Sequence, residues 1–180
     1  MSTVVVGGSG RGVGKTALVC GIIAAYPVLR WTAVKITAHP HGMPEPIWEE
    51  VRGGQGTDTA RYLAAGARRA LLVTALGDEF PLRALQGAIG SDAHVIFESN
   101  RVLAHLQPDV CIGVLDGSRD DFKPSFEAFL QRVDVLVRTA GADTNSFNFP
   151  VRIPLFLLDD PGRISPEMHA WLQPKISPSQ

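Results

Sequence analysis

Val4-Val5-Val6-Gly7-Gly8-Ser9-Gly10-Arg11-Gly12-Val13-Gly14-Lys15-Thr16 is the stretch that decides the fold. A β-branched apolar run reads as a buried strand, and the glycine-dense loop after it runs into an apolar helical segment over 17–25. Gly8, Gly10, Gly12 and Gly14 can adopt backbone conformations that side chains forbid, so successive N–H groups can turn inward around an anion. The positive end of the following helix faces the same point. Lys15 brings a full charge for the outer phosphates, and the Thr16 hydroxyl is placed to ligate magnesium. The candidate nucleotide contacts are therefore Gly8, Ser9, Gly10, Arg11, Gly12, Val13, Gly14, Lys15, Thr16 and Ala17.

The spacing is a variant one. The usual phosphate loop has four residues between its first Gly and the Gly-Lys-Thr. Ser9 stands at that first position here, and counting from Gly8 leaves five intervening residues. A strand before the loop and a helix after it are the context that makes this a phosphate site rather than a glycine-rich hairpin.

A chain of 180 residues is about one domain long and can bury a substantial core without staples. We read 1–173 as a single nucleotide-binding domain and 174–180 as a frayed tail. The net charge of -1 and a pI near 6.5 give no basic field for nucleic acid or an anionic membrane. Cys20 and Cys111 lie inside apolar runs with no second ligand at metal spacing, as small core residues of a reducing compartment do. Met1 leads almost directly into the first strand, without the segments of a secretory signal, and no apolar run approaches the ~20 residues of a membrane span. A cytoplasmic location is the expectation.

Further strands are expected over 31–37, 70–74, 93–98, 110–116, 135–138 and 153–158, and helices over 59–65, 80–89, 124–133 and 166–172. Apolar strands alternating with helices are what a parallel sheet buried on both faces requires. The expected architecture is a three-layer α/β domain with a mostly parallel sheet of about seven strands. The stretch 38–56, rich in Pro and Gly, reads as a long irregular loop of the kind that is usually functional or mobile.

In such sheets ligands sit beyond the carboxyl ends of the strands. Lys35 lies near the end of the second strand, where its amine either reaches a phosphate or carboxylate or is solvated at the tip of a buried stem. His39 and His41 follow at once; they are candidates for contact with an acidic substrate, and, without a third ligand nearby, weaker ones for a metal. Glu98 and Asp116 each end an apolar strand, and either could be the carboxylate on the magnesium side. Asp58 follows Thr57 at a helix start, where capping is the ordinary role. Asp120-Asp121 and Asp159-Asp160 read as turn and cap residues, and Asp143, after the sixth strand, is assigned to no base.

Gly12-Val13-Gly14-Lys15-Thr16, then Ala33-Val34-Lys35-Ile36-Thr37-Ala38-His39-Pro40-His41, then Thr57-Asp58-Thr59-Ala60-Arg61-Tyr62-Leu63-Ala64-Ala65-Gly66-Ala67 together resemble the P-loop proteins of molybdopterin-guanine dinucleotide biosynthesis (protein B). The same order is similar to dethiobiotin synthetase, whose loop shares the longer spacing. The resemblance follows the order of elements along nearly the whole chain, but specific motifs only over roughly the first 70 residues. It implies a P-loop NTPase domain, Mg2+ with GTP or ATP, and a homodimer. It also implies Thr16, Asp58 and Glu98 around the metal, and Lys35 on substrate or phosphate. Two positions depart from the pattern: Glu98 is followed by Ser99-Asn100-Arg101 rather than Gly, and Arg138-Thr139 stand where dethiobiotin synthetase has an Asn.

The leading expectation is magnesium-dependent binding and slow hydrolysis of a purine nucleotide, with Lys15, Lys35 and Glu98 as the catalytic candidates. The resemblance adds an adaptor role in molybdenum-cofactor maturation. One alternative is an ATP-dependent ligase or carboxylase acting on a small acid held by Lys35. Another is a non-catalytic sensor in which nucleotide orders 38–56 for a second small-molecule or protein partner.

Overall fold

A computed structural model of the chain describes residues 2–39, 45–51, 56–77, 79–116, 124–139, 153–158, 160 and 162–176. The strands are β1 (Ser2–Gly8), β2 (Thr32–Thr37), β3 (Ile47–Glu49), β4 (Arg69–Thr74), β5 (His94–Glu98), β6 (Val110–Leu115), β7 (Val135–Thr139) and β8 (Leu155–Leu158). The helices are α1 (Lys15–Ala25), α2 (Asp58–Ala64), α3 (Leu82–Ile89), α4 (Pro124–Leu130) and α5 (Pro166–Ile176). They form one sheet in the order β3-β4-β2-β5-β1-β6-β7-β8, parallel throughout except for the β3–β4 pair.

The pleat of β1 shows why the sequence needs three layers. Val4 and Val6 point into one core with Leu18, Ile22 and Ile23 of α1, Tyr62 of α2 and Met168, Leu172 and Ile176 of α5. Val5 points the other way, among Leu85 of α3 and Phe126 and Phe129 of α4. All three valines are 0 % exposed, as alternate side chains of a sheet covered on both faces must be.

The expected α/β architecture holds, with eight strands among the described residues against about seven expected. β3 lies inside the stretch read as irregular and pairs antiparallel with β4, Ile47 facing Val73 and Glu49 facing Leu71. Backbone bonds from Thr74 to Pro46 and from Glu50 to Ala70 extend the pairing at both ends. Glu50, 7 % exposed, accepts from the hydroxyls of Thr57 and Thr59 at 2.9 and 2.8 Å, so this edge is fastened to the start of α2. α5 also continues beyond the expected end at Leu172 to Ile176, whose side chain is fully buried. Three residues of the stretch expected to fray are thus helical.

β1 sits centrally, between β5 and β6. The ends of those three strands therefore open at one place, and the loop after β1 emerges there. No described helix is long and apolar enough to cross a membrane.

Candidate functional site

The glycine loop is held at its root by both neighbouring strands. The Ser9 amide donates to Val114 O at 2.9 Å, and its hydroxyl accepts from the Asp116 amide at 3.0 Å. Asn100 grips the other side: Gly8 N–H donates to Asn100 Oδ1 at 2.8 Å, and Asn100 Nδ2 donates back to Gly8 O at 3.1 Å. Gly7 is required for the fit, since a Cβ there would stand 2.6 Å from the Phe129 ring and 2.7 Å from Asn100 Oδ1. Asn100 belongs to the Ser99-Asn100-Arg101 triplet that follows Glu98. Ser99 Oγ accepts from the Arg101 amide at 3.0 Å, while the Arg101 side chain reaches the carbonyls of Ala75 and Gly77. In this chain the triplet knits the end of β5 to the loop and to the end of β4.

Gly12 and Gly14 carry φ values of +75° and +97°, in the left-handed region that glycine alone enters without strain. Gly14 caps α1 in that conformation, with no side chain closing the first turn and no acidic residue in it. The amides of the first turn, Lys15, Thr16 and Ala17 among them, are the donors that an α-helix leaves without intrahelical partners. Lys15 folds back to donate to Gly10 O at 2.5 Å.

Around Thr16 the structure gathers residues that the sequence scatters over 83 positions, from 16 to 98. Lys35 stands directly beside Glu98 in the β2–β5 register. Its ammonium pairs with Glu98 Oε1 and lies 2.9 Å from Asp58 Oδ2. Thr16 Oγ1 donates to Glu98 Oε2 at 2.8 Å, and the Tyr62 phenol donates to the same oxygen. Thr57, not Asp58, caps α2, its hydroxyl accepting from the Ala60 amide at 3.0 Å. This leaves Asp58 to face Lys35, with Arg61 3.7 Å away.

The charges follow from this packing. Burial pulls the Lys35 pKa down, but Glu98 and Asp58 outweigh it, so the ammonium is held above its ordinary value. Burial pushes the Asp58 carboxyl up, and Lys35, the Thr16 hydroxyl and Arg61 together bring it below its ordinary value. Burial beside the Glu98 charge drives the Tyr62 phenol well above the usual tyrosine range.

A cleft of about 1160 Å³ runs over these groups, bordered by Gly14, Thr16, Lys35, Asp58 and Glu98, with Thr139 and Leu158 lining it beside Gly14. His39 is at its mouth, where the Arg11 guanidinium donates to Nε2 of the exposed imidazole. His41 lies outside the described residues, as do Asp120, Asp121, Asp143 and Asp159. Asp116 sits at the loop root through its amide, while Glu98 accepts from the Thr16 hydroxyl. Cys111 is buried, and burial pushes its thiol up to about 12; burial raises Cys20 as well.

Among the described residues no three His, Cys, Asp or Glu side chains gather as a metal cage. One hydroxyl and two carboxylates are instead the hard oxygen donors that suit Mg2+ when phosphate oxygens and water complete its shell.

No protein-family model matches the chain, and no curated protein matches it. Among solved structures, LpxK from Aquifex aeolicus, crystallised in complex with ATP, is similar over 87% of this chain, with a TM-score of 0.56 and 18% sequence identity. The fold is P-loop NTPase-like. The chain spans about half of the LpxK structure, 53% of its length, and at this identity the likeness is one of fold.

Proposed function

We propose that the chain binds a purine nucleoside triphosphate, ATP or GTP, with Mg2+ in the cleft over the glycine loop, and hydrolyses it slowly. The observation that carries this reading is the convergence of Thr16, Asp58, Lys35 and Glu98 beside an uncapped helix start. The ATP complex of LpxK, a protein of similar fold, supports it.

The loop amides and Lys15 would hold the phosphates, and Thr16, Asp58 and Glu98 would hold the cation or its waters. Magnesium, when bound, neutralises charge on the phosphate oxygens. Lys35 keeps Asp58 and Glu98 in place and adds a fixed positive charge where negative charge must be stabilised. Thr16 Oγ1 donates its hydrogen bond to Glu98, which would leave the hydroxyl's lone pairs free for the cation. Catalysis in such a site rests on positioning and charge.

The motif resemblance supports a narrower form of the same reading, an adaptor in molybdenum-cofactor maturation. Phosphate release from ATP and from GTP, with magnesium, tests the shared core. We expect slow steady release that Lys15→Ala abolishes. Release that persists unchanged in Lys15→Ala removes the loop from the reaction.

A further inference from the structure

Tyr62 lies on α2. Its side chain is 0 % exposed, and its hydroxyl donates to Glu98 Oε2, the oxygen that also accepts from the Thr16 hydroxyl. Tyr62 follows Asp58 by four residues on α2, so the two share one helix face. One short helix thus delivers a carboxylate to Lys35 and a phenol to Glu98.

The chemistry of Thr16 explains why this matters. A hydroxyl that turns a lone pair toward a cation points its O–H at an acceptor, and here that acceptor is Glu98 Oε2. The acceptor works only while the carboxylate keeps one orientation. Thr16 and Lys35 both border the cleft, where an arriving ligand competes for them. Tyr62 holds the same carboxylate from the buried side.

We propose that Tyr62 is a positioning residue for the magnesium side of the site: its hydroxyl fixes Glu98 so that Thr16 presents its oxygen to the cation. This rests on the magnesium–nucleotide reading above. A group that hydrogen-bonds a side chain holding the cation or its waters, as Tyr62 bonds Glu98, commonly carries about 10- to 100-fold in metal affinity.

The test is Tyr62→Phe, which removes one oxygen and keeps the ring. Fluorescent ATP and GTP analogues are titrated at varied magnesium and in EDTA. The magnesium concentration at half-effect should rise about tenfold or more, while nucleotide affinity in EDTA stays unchanged. An unchanged magnesium midpoint in a normally binding variant, or an equal loss with and without magnesium, overturns the proposal alone. A wild-type chain that binds no nucleotide overturns the underlying reading and the proposal with it.

A second measurement needs no cavity in the core. The chain has two tyrosines, so 3-fluorotyrosine labelling gives two ¹⁹F resonances, assigned with Tyr26→Phe. Adding magnesium to the nucleotide-bound protein should move the Tyr62 signal and leave Tyr26, whose hydroxyl donates to His169 O, in place. A Tyr62 signal that does not move overturns the proposal.

Discussion

Replacing Lys35 by Met should destabilise the protein far more than a surface change. Glu98 is 1 % exposed and holds three donors: the ammonium of Lys35 and the hydroxyls of Thr16 and Tyr62. Met keeps the length of the side chain and removes the charge, leaving a buried carboxylate with two neutral donors. Breaking a buried pair from one side costs about 3–5 kcal/mol, and the two remaining hydroxyl bonds favour the lower end. For a domain of this size about 3 kcal/mol lowers Tm by about 6–12 °C. Lys35→Met/Glu98→Gln should recover most of the loss, because the Gln carbonyl still accepts from Thr16 and Tyr62 without a charge. The pH dependence has a definite sign. The folded Lys35 pKa is raised, so its contribution is complete below the unfolded value of about 10.4 and fades as pH rises through the folded value. Thermal melts of the three proteins from pH 6 to 11 check this. A single variant that melts with the wild type, or a double variant no more stable than the single, would refute the reasoning.

The loop geometry separates two glycines. Gly12→Ala meets open space and carries only the left-handed backbone cost of about 1–2 kcal/mol, whereas Gly14→Ala adds a Cβ 2.8 Å from Thr139 Cγ2. Gly14→Ala should therefore melt lower than Gly12→Ala, and equal melting points would contradict the close approach. At Asp58 the folded pKa is depressed, so its contribution is present above the unfolded value of about 3.9 and disappears as pH falls through the folded value. Urea unfolding at pH 6 and pH 3 should show the deficit of Asp58→Asn shrinking at the lower pH; a deficit that stays constant would argue against the Lys35 pairing.

The sequence made the layers and the loop legible because both rest on local pattern. Val4, Val5 and Val6 are adjacent apolar residues, and only a sheet covered on two faces buries all three. β3 was hidden because three residues next to Pro46 carry too little alternation, and their pairing is set by β4 more than twenty residues on. Lys35 was visible as an oddity near a strand end, but its partner depends on the strand order that puts β2 beside β5. Asn100 gave no local signal, since the backbone atoms of Gly8 that it bonds are 92 positions away. Tyr62 had one available cue, its four-residue spacing from Asp58, which says that both share a face and not what that face meets.

Calorimetric titration of ATP and GTP analogues with magnesium, against wild type and Lys15→Ala, tests the central claim most directly. The account predicts one binding site per chain for at least one of the two nucleotides, strengthened by magnesium and lost in the variant. Binding that is equal in both proteins, or absent from the wild type for both nucleotides, would contradict it.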